Sequence, residues 1–369
     1  MKIGVMTWWR NTNYGGFLQG LALQTFLQKN GFDVEMVRYA FPPVRFSAWS
    51  VVCSRRITSL RQFLAAVVDI FRALFINGGL FARMRRLKKN CRLVDKYIRS
   101  SPRQYASLSD INQNRRYDAI LIGSDQVWTP FYHDTEFSYL LRGIDNSVLK
   151  VSYAASVSAP SVHPYEQIYA EALARFDAIS VREKTNVEEL EKLSGKKVEW
   201  VVDPTLLLSA DEWRQLMNLN TTTDEQHITF YCLSPFDGRV SELIKLAKGK
   251  GMRVHIFTDV QAFCVGTNPL KWFKHLVARL RIAYSPWLKL RLDADAREWL
   301  QDISTADFVV SDSFHALMFA RIFGRKIDVE LPVSRQKMSS RIKDFQLREK
   351  ELPCWQDKSR RWLLESIRK

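Results

Sequence analysis

The segment Ala306 to Gly324, ADFVVSDSFHALMFARIFG, places a polar turn between a short β-branched run and a helix-forming run, and few folds accommodate that order. Phe308-Val309-Val310 has the composition of a buried parallel strand. From Phe314 onward, Leu317, Met318 and Ile322 recur at three- and four-residue spacing, and Gly324 stands where a helix C-cap belongs. The turn between them is Ser311-Asp312-Ser313-Phe314-His315. In an open α/β sheet such a turn lies at the carboxyl end of a strand, where ligands bind.

That turn offers an anion three kinds of group: backbone N–H groups at a helix start, the hydroxyls of Ser311 and Ser313, and the imidazole of His315. Phosphate or carboxylate is the matching guest. The structural alternative makes Ser311 or Asp312 an N-cap and His315 a first-turn residue satisfied by a neighbouring carbonyl.

The same alternation runs through much of the chain. Ile3 to Met6 reads as a strand, Phe17 to Lys29 as a helix closed by Gly31, and Asp33 to Tyr39 as a second strand. The loop Asn11 to Gly16 sits at the first strand's end and lacks a GxGxxG fingerprint. Further strands are expected at Asp118 to Ile122, Lys150 to Ala155, Ala178 to Val181 and Val198 to Val202. After a polar run from Asn218 to Gln226, more follow at Ile228 to Leu233, Arg253 to Phe257 and Phe308 to Val310. At 369 residues and 46% hydrophobic content the chain can bury two cores of ordinary size. The expected fold is α/β, with two Rossmann-like domains facing a cleft. The expected division is an N-terminal domain over 1–217, a linker over 218–226, a C-terminal domain over 227–339 and closing helices over 340–369.

Two stretches break the rhythm. Residues 42 to 105 read as a helical, basic insertion in the first domain. Its apolar segment Leu60 to Met84 is interrupted by Asp69, Arg72 and Gly78-Gly79, which argues against a membrane span, since a central charge costs ~2.5–3.5 kcal/mol on insertion scales. Arg83, Arg85, Arg86, Lys88 and Lys89 suit either peripheral contact with an anionic membrane or the solvated face of a packed helical hairpin. Residues 260 to 292 interleave Trp272, Phe273, Tyr284 and Trp287 with Lys and Arg, a mixture found at membrane interfaces, sugar platforms and nucleic-acid surfaces alike.

A net charge of +16 points to an anionic partner: nucleic acid, an acidic membrane surface or a phosphorylated substrate. The five cysteines, Cys53, Cys91, Cys232, Cys264 and Cys354, form no CxxC pair and suggest neither a disulfide framework nor a structural zinc site. The amino terminus has no apolar signal core, so a cytoplasmic protein is expected, with peripheral attachment to the inner face of the membrane as the variant that the basic insertion would support.

SDSFHALMFARIFGRK, together with GSDQVWTP (Gly123 to Pro130), VSYAAS (Val151 to Ser156), DAISVREK (Asp177 to Lys184) and VVDPTLLL (Val201 to Leu208), resembles the polysaccharide pyruvyl transferase family in motif and in order. The architecture is then similar to the glycosyltransferase B fold. The resemblance implies transfer of a pyruvyl group from phosphoenolpyruvate to two hydroxyls of one sugar, in a polymer or a lipid-linked repeat unit, giving a ketal and phosphate. It implies no cofactor, no metal and no nucleic acid.

The resemblance also implies roles. His315, in the SFH motif, would be the general acid or a phosphate contact. Arg182, in the VRE motif, would clamp the donor carboxylate, against the plainer reading of a salt bridge to a neighbouring acid. Arg341 would hold the phosphate with Ser311 and Ser313. Asn13, Tyr14 and Gln126 would meet the acceptor sugar, and Asp125 would be the base for its hydroxyl, although aspartates are also common turn formers. The chain departs from the family at Asp293-Ala294-Asp295-Ala296, where a shorter Gly-Pro connection is usual. Two other readings compete: a B-fold glycosyltransferase using a nucleotide sugar, and a non-enzymatic basic protein binding membrane or nucleic acid.

Overall fold

The computed structural model describes residues 1–10, 13–39, 79–130, 137–233, 240–258, 277–278, 280–327 and 340–368. They fall into two compact units, one of residues 1–40, 94–209 and 337–369 and the other of 41–93 and 210–336. Each is built on a five-stranded, wholly parallel sheet.

In the first unit the strands are β1 (Lys2–Met6), β2 (Asp33–Tyr39), β3 (Ser100–Tyr105), β4 (Ala119–Ile122) and β5 (Leu149–Ser152), in the order β3-β2-β1-β4-β5. Isolated parallel bridges, Val151 to Ala178 and Ala155 to Val181, tie β5 to β6 (Ile179–Val181), which pairs with β7 (Val198–Trp200). In the second unit β8 (His227–Cys232), β9 (Arg253–Thr258), β10 (Leu288–Leu290), β11 (Phe308–Ser311) and β12 (Lys326–Ile327) lie in the order β10-β9-β8-β11-β12. Numbered within its own unit, each sheet runs 3-2-1-4-5. The expectation of two Rossmann-like domains is met, and each sheet has its switch point beside its first strand.

One local device recurs in both units. An aspartate just before a strand locks the neighbouring strand's first residue in a two-way bond. Asp118 accepts from Lys2 N at 2.6 Å and donates its own N–H to Lys2 O at 2.9 Å; Asp307 does the same for His227, at 3.0 Å each way. Asp177, two residues before β6, makes the same two-way bond with Lys150, the second residue of β5, 2.8 Å each way. A carboxylate that accepts the otherwise orphaned N–H of a strand's start fixes where pairing begins, and hence the register.

Several boundaries differ from the sequence expectation. Residues 100–105, expected within the helical insertion, form edge strand β3; Pro102 hides it from a strand search, and edge strands tolerate proline. The helix Gly79–Tyr97 belongs to the second unit as far as Leu93, where Ala82 joins the core of Ile228, Phe230, Val254 and Ile256. The helix Ala210–Met217, expected in the first domain, also packs in the second, with the Trp213 ring 5.1 Å from Phe319. The expected linker 218–226 is packed as well: Asn220 exchanges hydrogen bonds with the Gln301 side chain at 2.8 and 3.1 Å. Helices Ser340–Arg348 and Leu352–Ile367 close the first unit. The readings at 42–78 and 259–276 lie outside the described residues. No helix among the described residues is long and apolar enough to cross a membrane.

The amino edge of the first sheet is held by a buried acid. Glu35 accepts from Arg116 Nε (2.5 Å) and Nη2 (2.9 Å) and from Tyr117 Oη (2.7 Å), with Lys2 Nζ at 3.5 Å. Burial alone would raise this carboxyl, but the hydrogen bonds from Arg116 and Tyr117 and the two positive charges outweigh it and hold the pKa at about 2. A carboxyl lowered on folding contributes stability that is complete above its unfolded pKa and lost on acidification, here between about pH 4.5 and 2. Partial exposure of Arg116 trims the effect to on the order of 2 kcal/mol. Acid unfolding followed by circular dichroism should therefore show a shallower loss of stability over that window for Glu35→Gln than for wild type; parallel curves would contradict the assignment.

Candidate active site

The predicted residues fall into two groups, one in each unit. In the first unit they follow β1, β4 and β6, with Arg341 on the helix Ser340–Arg348. Arg182, the first residue after β6, is only 4% exposed. Its Nη1 donates to Asp203 Oδ2 at 2.8 Å and to Ser124 Oγ at 3.3 Å, and its Nε donates to Glu183 Oε1 at 3.2 Å. Asp203 Oδ1 accepts in turn from Thr205 N (3.0 Å) and Oγ1 (2.7 Å), and Glu183 accepts from Ser156 Oγ at 2.7 Å. The salt-bridge reading of Arg182 is thus the one realised here. Burial by itself would lower the arginine's pKa, yet the charges of Glu183, Asp203 and Asp125 raise it, so the guanidinium stays charged.

Ser124 and Asp125 arrive on the turn after β4. Thr7 Oγ1 donates to Ser124 O at 2.6 Å and accepts from Gln19 Nε2 at 2.8 Å, joining β1, its helix and the turn. Gly123 is required by that closeness, since a Cβ there would stand 2.9 Å from Thr7 Cβ. Asp125 has φ of 76°, its Oδ1 accepts the N–H of Gln126 at 3.0 Å, and its side chain is buried. Ala154 and Ser158, on the facing loop after β5, also have positive φ, 54° and 52°. Three residues without glycine's freedom in this conformation, within two adjacent loops, concentrate backbone strain at this edge.

Arg341 comes from the far end of the chain. The helix that carries it, Ser340–Arg348, is pinned beside Arg182 by Asp344, whose Oδ2 accepts from Thr185 N (3.0 Å) and Oγ1 (2.8 Å). The next helix docks through Trp355 Nε1 to Trp200 O at 3.0 Å, Gln356 to Leu206 O at 2.9 Å and Arg360 to Leu207 O at 3.0 Å. Arg341 is half-buried and, among the described residues, no hydrogen bond or close ion pair engages its guanidinium. Burial, followed by the charge of Arg182, lowers its pKa against the opposing pull of Glu183, Asp125 and Asp203.

The remaining predicted residues of this unit behave differently. Asn13 caps the helix Tyr14–Lys29, accepting from Gly15 N at 2.9 Å. Tyr14, at 1% exposure, is part of the core. Gln126 is partly exposed on the Asp125 turn.

In the second unit, Ser311 ends β11, donates to Tyr231 O at 2.6 Å and accepts from Ser313 N at 3.0 Å. Asp312 accepts from Leu233 N at 2.8 Å, tying the turn to the end of β8 across the switch point. Ser313 stands at the N-cap position of the helix Phe314–Ile322 without a capping bond from its hydroxyl, and Gly324 (φ 63°) follows that helix as expected. His315, 6% exposed, lies in the first turn with the Phe314 ring edge-on at 5.5 Å. Ser311, Ser313 and His315 are thus brought together at one strand end, as the sequence pattern requires.

Sequence reasoning missed Asp203, Glu183, Ser124 and Ser156. Asp203 lies within VVDPTLLL, and nothing local distinguishes a capping aspartate from one that also holds a buried arginine. It also found no metal cluster, because His227, His255 and Asp302, which the fold brings within 4.8 Å of one another, come from three separate elements.

Residues 13–326 match the family described as polysaccharide pyruvyl transferase. The chain belongs to that family. Membership makes it a transferase concerned with polysaccharides and agrees with the order of motifs from GSDQVWTP to SDSFH. No curated protein matches the sequence. Among solved structures, this pyruvyl transferase family member is similar to UDP-GlcNAc 2-epimerase from Methanocaldococcus jannaschii (9% identity, 94% of this chain and 92% of that one, TM-score 0.49). It is similar too to the Neisseria meningitidis UDP-GlcNAc 2-epimerase (11%, 100% and 99%, TM-score 0.48) and to E. coli heptosyltransferase WaaC (15%, 89% and 86%, TM-score 0.39). At these scores nothing about ligand or reaction is carried over from them.

The Arg182 network predicts its own energetics. Truncating the arginine strands two carboxylates away from water, and breaking a buried ion pair in this way costs about 3–5 kcal/mol. Arg182→Ala should lose that much in a urea titration, and Arg182→Lys should recover little of it because an ammonium lacks the fork that reaches Asp203 and Glu183 together. A loss below about 1 kcal/mol would mean that the network is not what holds this edge.

Proposed function

We propose that this family member transfers the pyruvyl group of phosphoenolpyruvate to two hydroxyls of one sugar, releasing phosphate. The observation that carries the reading is Arg341: a half-buried guanidinium, held beside a second arginine by Asp344 and engaged by no hydrogen bond among the described residues. Two adjacent guanidinium groups repel, and an anion bound to the uncommitted one relieves that repulsion. Phosphoenolpyruvate brings a carboxylate and a phosphate. The family match favours it over other anions.

In the reaction the enol C2 forms bonds to both sugar oxygens, its bond to the phosphate oxygen breaks, and the methylene becomes a methyl group. Of the two hydroxyl protons, one is taken up at that carbon and the other leaves with phosphate. His315 is the proton donor in this scheme, or the group that neutralises the departing phosphate alongside Ser313, whereas the Ser311 hydroxyl, expected to contact the phosphate, is committed to Tyr231 O and shapes the turn. Asp125, held in a strained turn, is the base for the attacking hydroxyl, and Gln126 beside it addresses the acceptor. Arg182 acts indirectly, by fixing Asp203 and Glu183 and by setting the field in which Arg341 takes its anion. Asn13, a helix cap, and Tyr14, part of the core, are given no acceptor-side role in this scheme.

Thermal unfolding in the presence of phosphoenolpyruvate tests this reading. At ~100 times its dissociation constant a ligand stabilises the fold by about 2.7 kcal/mol. Wild type should show that shift. Arg341→Ala should unfold no more easily than wild type without ligand, because a repelled charge has been removed, yet lose the ligand-induced shift. Stabilisation by a nucleotide sugar in place of phosphoenolpyruvate would transfer the assignment to a glycosyltransferase.

A further inference from the structure

At the opposite, amino edge of the second sheet, three side chains with the donor set of a transition-metal site converge. His227 is the first residue of β8, His255 the third of β9, and Asp302 lies on the helix Ala296–Thr305 that covers this face. All three are buried, and one donor atom from each lies within 4.8 Å of the other two. We propose that His227, His255 and Asp302 bind one divalent ion of the zinc class, an inference independent of the pyruvyl transfer reading.

The spacing fits. Two donors each about 2.1 Å from one ion at a tetrahedral angle stand about 3.4 Å apart, and His227 Nε2 lies 3.4 Å from Asp302 Oδ1. His227 Nδ1 faces the Glu225 carbonyl oxygen at 3.1 Å. The same ring's Nε2 faces the Asp302 carbonyl oxygen, also at 3.1 Å, a contact that an ion at Nε2 would displace, while a carbonyl oxygen at Nδ1 is the usual outer support of a metal-bound histidine. Asp302 is steadied by the Thr229 hydroxyl. His255 meets Asp302 Oδ2 through Nδ1 at 2.6 Å, while its Nε2 is buried with no hydrogen-bond partner among the described residues. A buried imidazole nitrogen without a partner is costly unless something else occupies its lone pair. Glu225 Oε2 lies 3.9 Å from His255 Nε2, while Glu225 Oε1 pairs with Arg253 at 3.2 Å, so the remaining coordination position falls to water.

The two units differ here in a telling way. The first residue of the first strand and the third of the second are Lys2 and Glu35 in one unit, closed into an ion-pair cluster by Arg116, and His227 and His255 in the other. Two histidines and an aspartate are zinc-class ligands, whereas lysine and arginine are not. An open cavity of about 710 Å³, bordered by Thr221, Glu225, Lys289 and Arg291, gives an ion access. Arg291 Nη1, 3.9 Å from Asp302 Oδ2, is the competing cation.

The ion would brace β8, β9 and the covering helix. It would not take part in the reaction, because His227 precedes Tyr231, the residue paired with Ser311, by roughly 13 Å of strand.

Chelator-treated full-length protein titrated with Co2+ tests the site by visible absorption. The expected result is one equivalent bound with the spectrum of a four-coordinate nitrogen and oxygen site, displaced by Zn2+ and accompanied by a higher unfolding temperature. His227→Ala and His255→Ala, checked for folding by circular dichroism, should abolish it. Arg291→Ala, which alters no ligand, should tighten binding by about tenfold or more by removing the nearby positive charge; this variant decides the matter if the histidine variants do not fold. No cobalt band in wild type, a band that persists in both histidine variants, or an Arg291→Ala affinity equal to wild type would each overturn the proposal.

Discussion

Arg182 sits between two buried carboxylates, and the organisation of the first unit's ligand edge follows from that constraint. A guanidinium at 4% exposure is tolerable only if acids accept from it, so Asp203 and Glu183 must lie where they do. Holding Asp203 fixes the Pro204 turn on which the carboxyl-terminal helix docks, and holding Glu183 fixes the loop of Ser156. The helix bearing Arg341 is anchored three residues past Arg182, at Thr185. One buried charge therefore sets the position of a second, more open one. The first is structural, and the second is the one proposed to take the donor's anion.

The units repeat one solution with different chemistry. Both sheets run 3-2-1-4-5, both lock the fourth strand to the start of the first with an aspartate, and both end that fourth strand in a Ser-Asp turn, Ser124-Asp125 in one and Ser311-Asp312 in the other. In each case the turn stands at the switch point, where strand connections diverge and leave backbone groups open to a ligand. Glycine and strained φ values accompany the first turn; a helix start with two serines and a histidine follows the second. The opposite edges carry the stabilising polar clusters, so the proposed binding residues and the bracing clusters lie at different ends of the same strands.

Much of this was legible in the sequence because the relevant signals are local. The Phe308-Val309-Val310 run, the helical spacing after Phe314 and the Gly324 cap each depend on a few adjacent residues, and all appear as read. What escaped depends on distant partners. Asp203 looks like a turn aspartate until Arg182 is placed beside it, and His227, His255 and Asp302 have no mutual spacing to detect. Strand β3 was hidden by Pro102 and by its position at an edge, where one face stays polar. The segment 218–226 looked like a linker because its polar residues satisfy backbone groups of a neighbouring helix instead of a core. Arg182 follows its plain alternative, a salt bridge: its guanidinium gives one bond to each of two carboxylates of the protein itself.

The pyruvyl transfer itself is open to direct measurement. Phosphate release from phosphoenolpyruvate, measured across a panel of sugars and lipid-linked saccharides with proton NMR of the product, tests it most directly. The account predicts phosphate release that requires both an acceptor and phosphoenolpyruvate, with a new methyl singlet from the ketal, and a fall of about 10²–10⁴-fold in rate for His315→Ala. Turnover of a nucleotide sugar on the same acceptors, with phosphoenolpyruvate left intact, would contradict it.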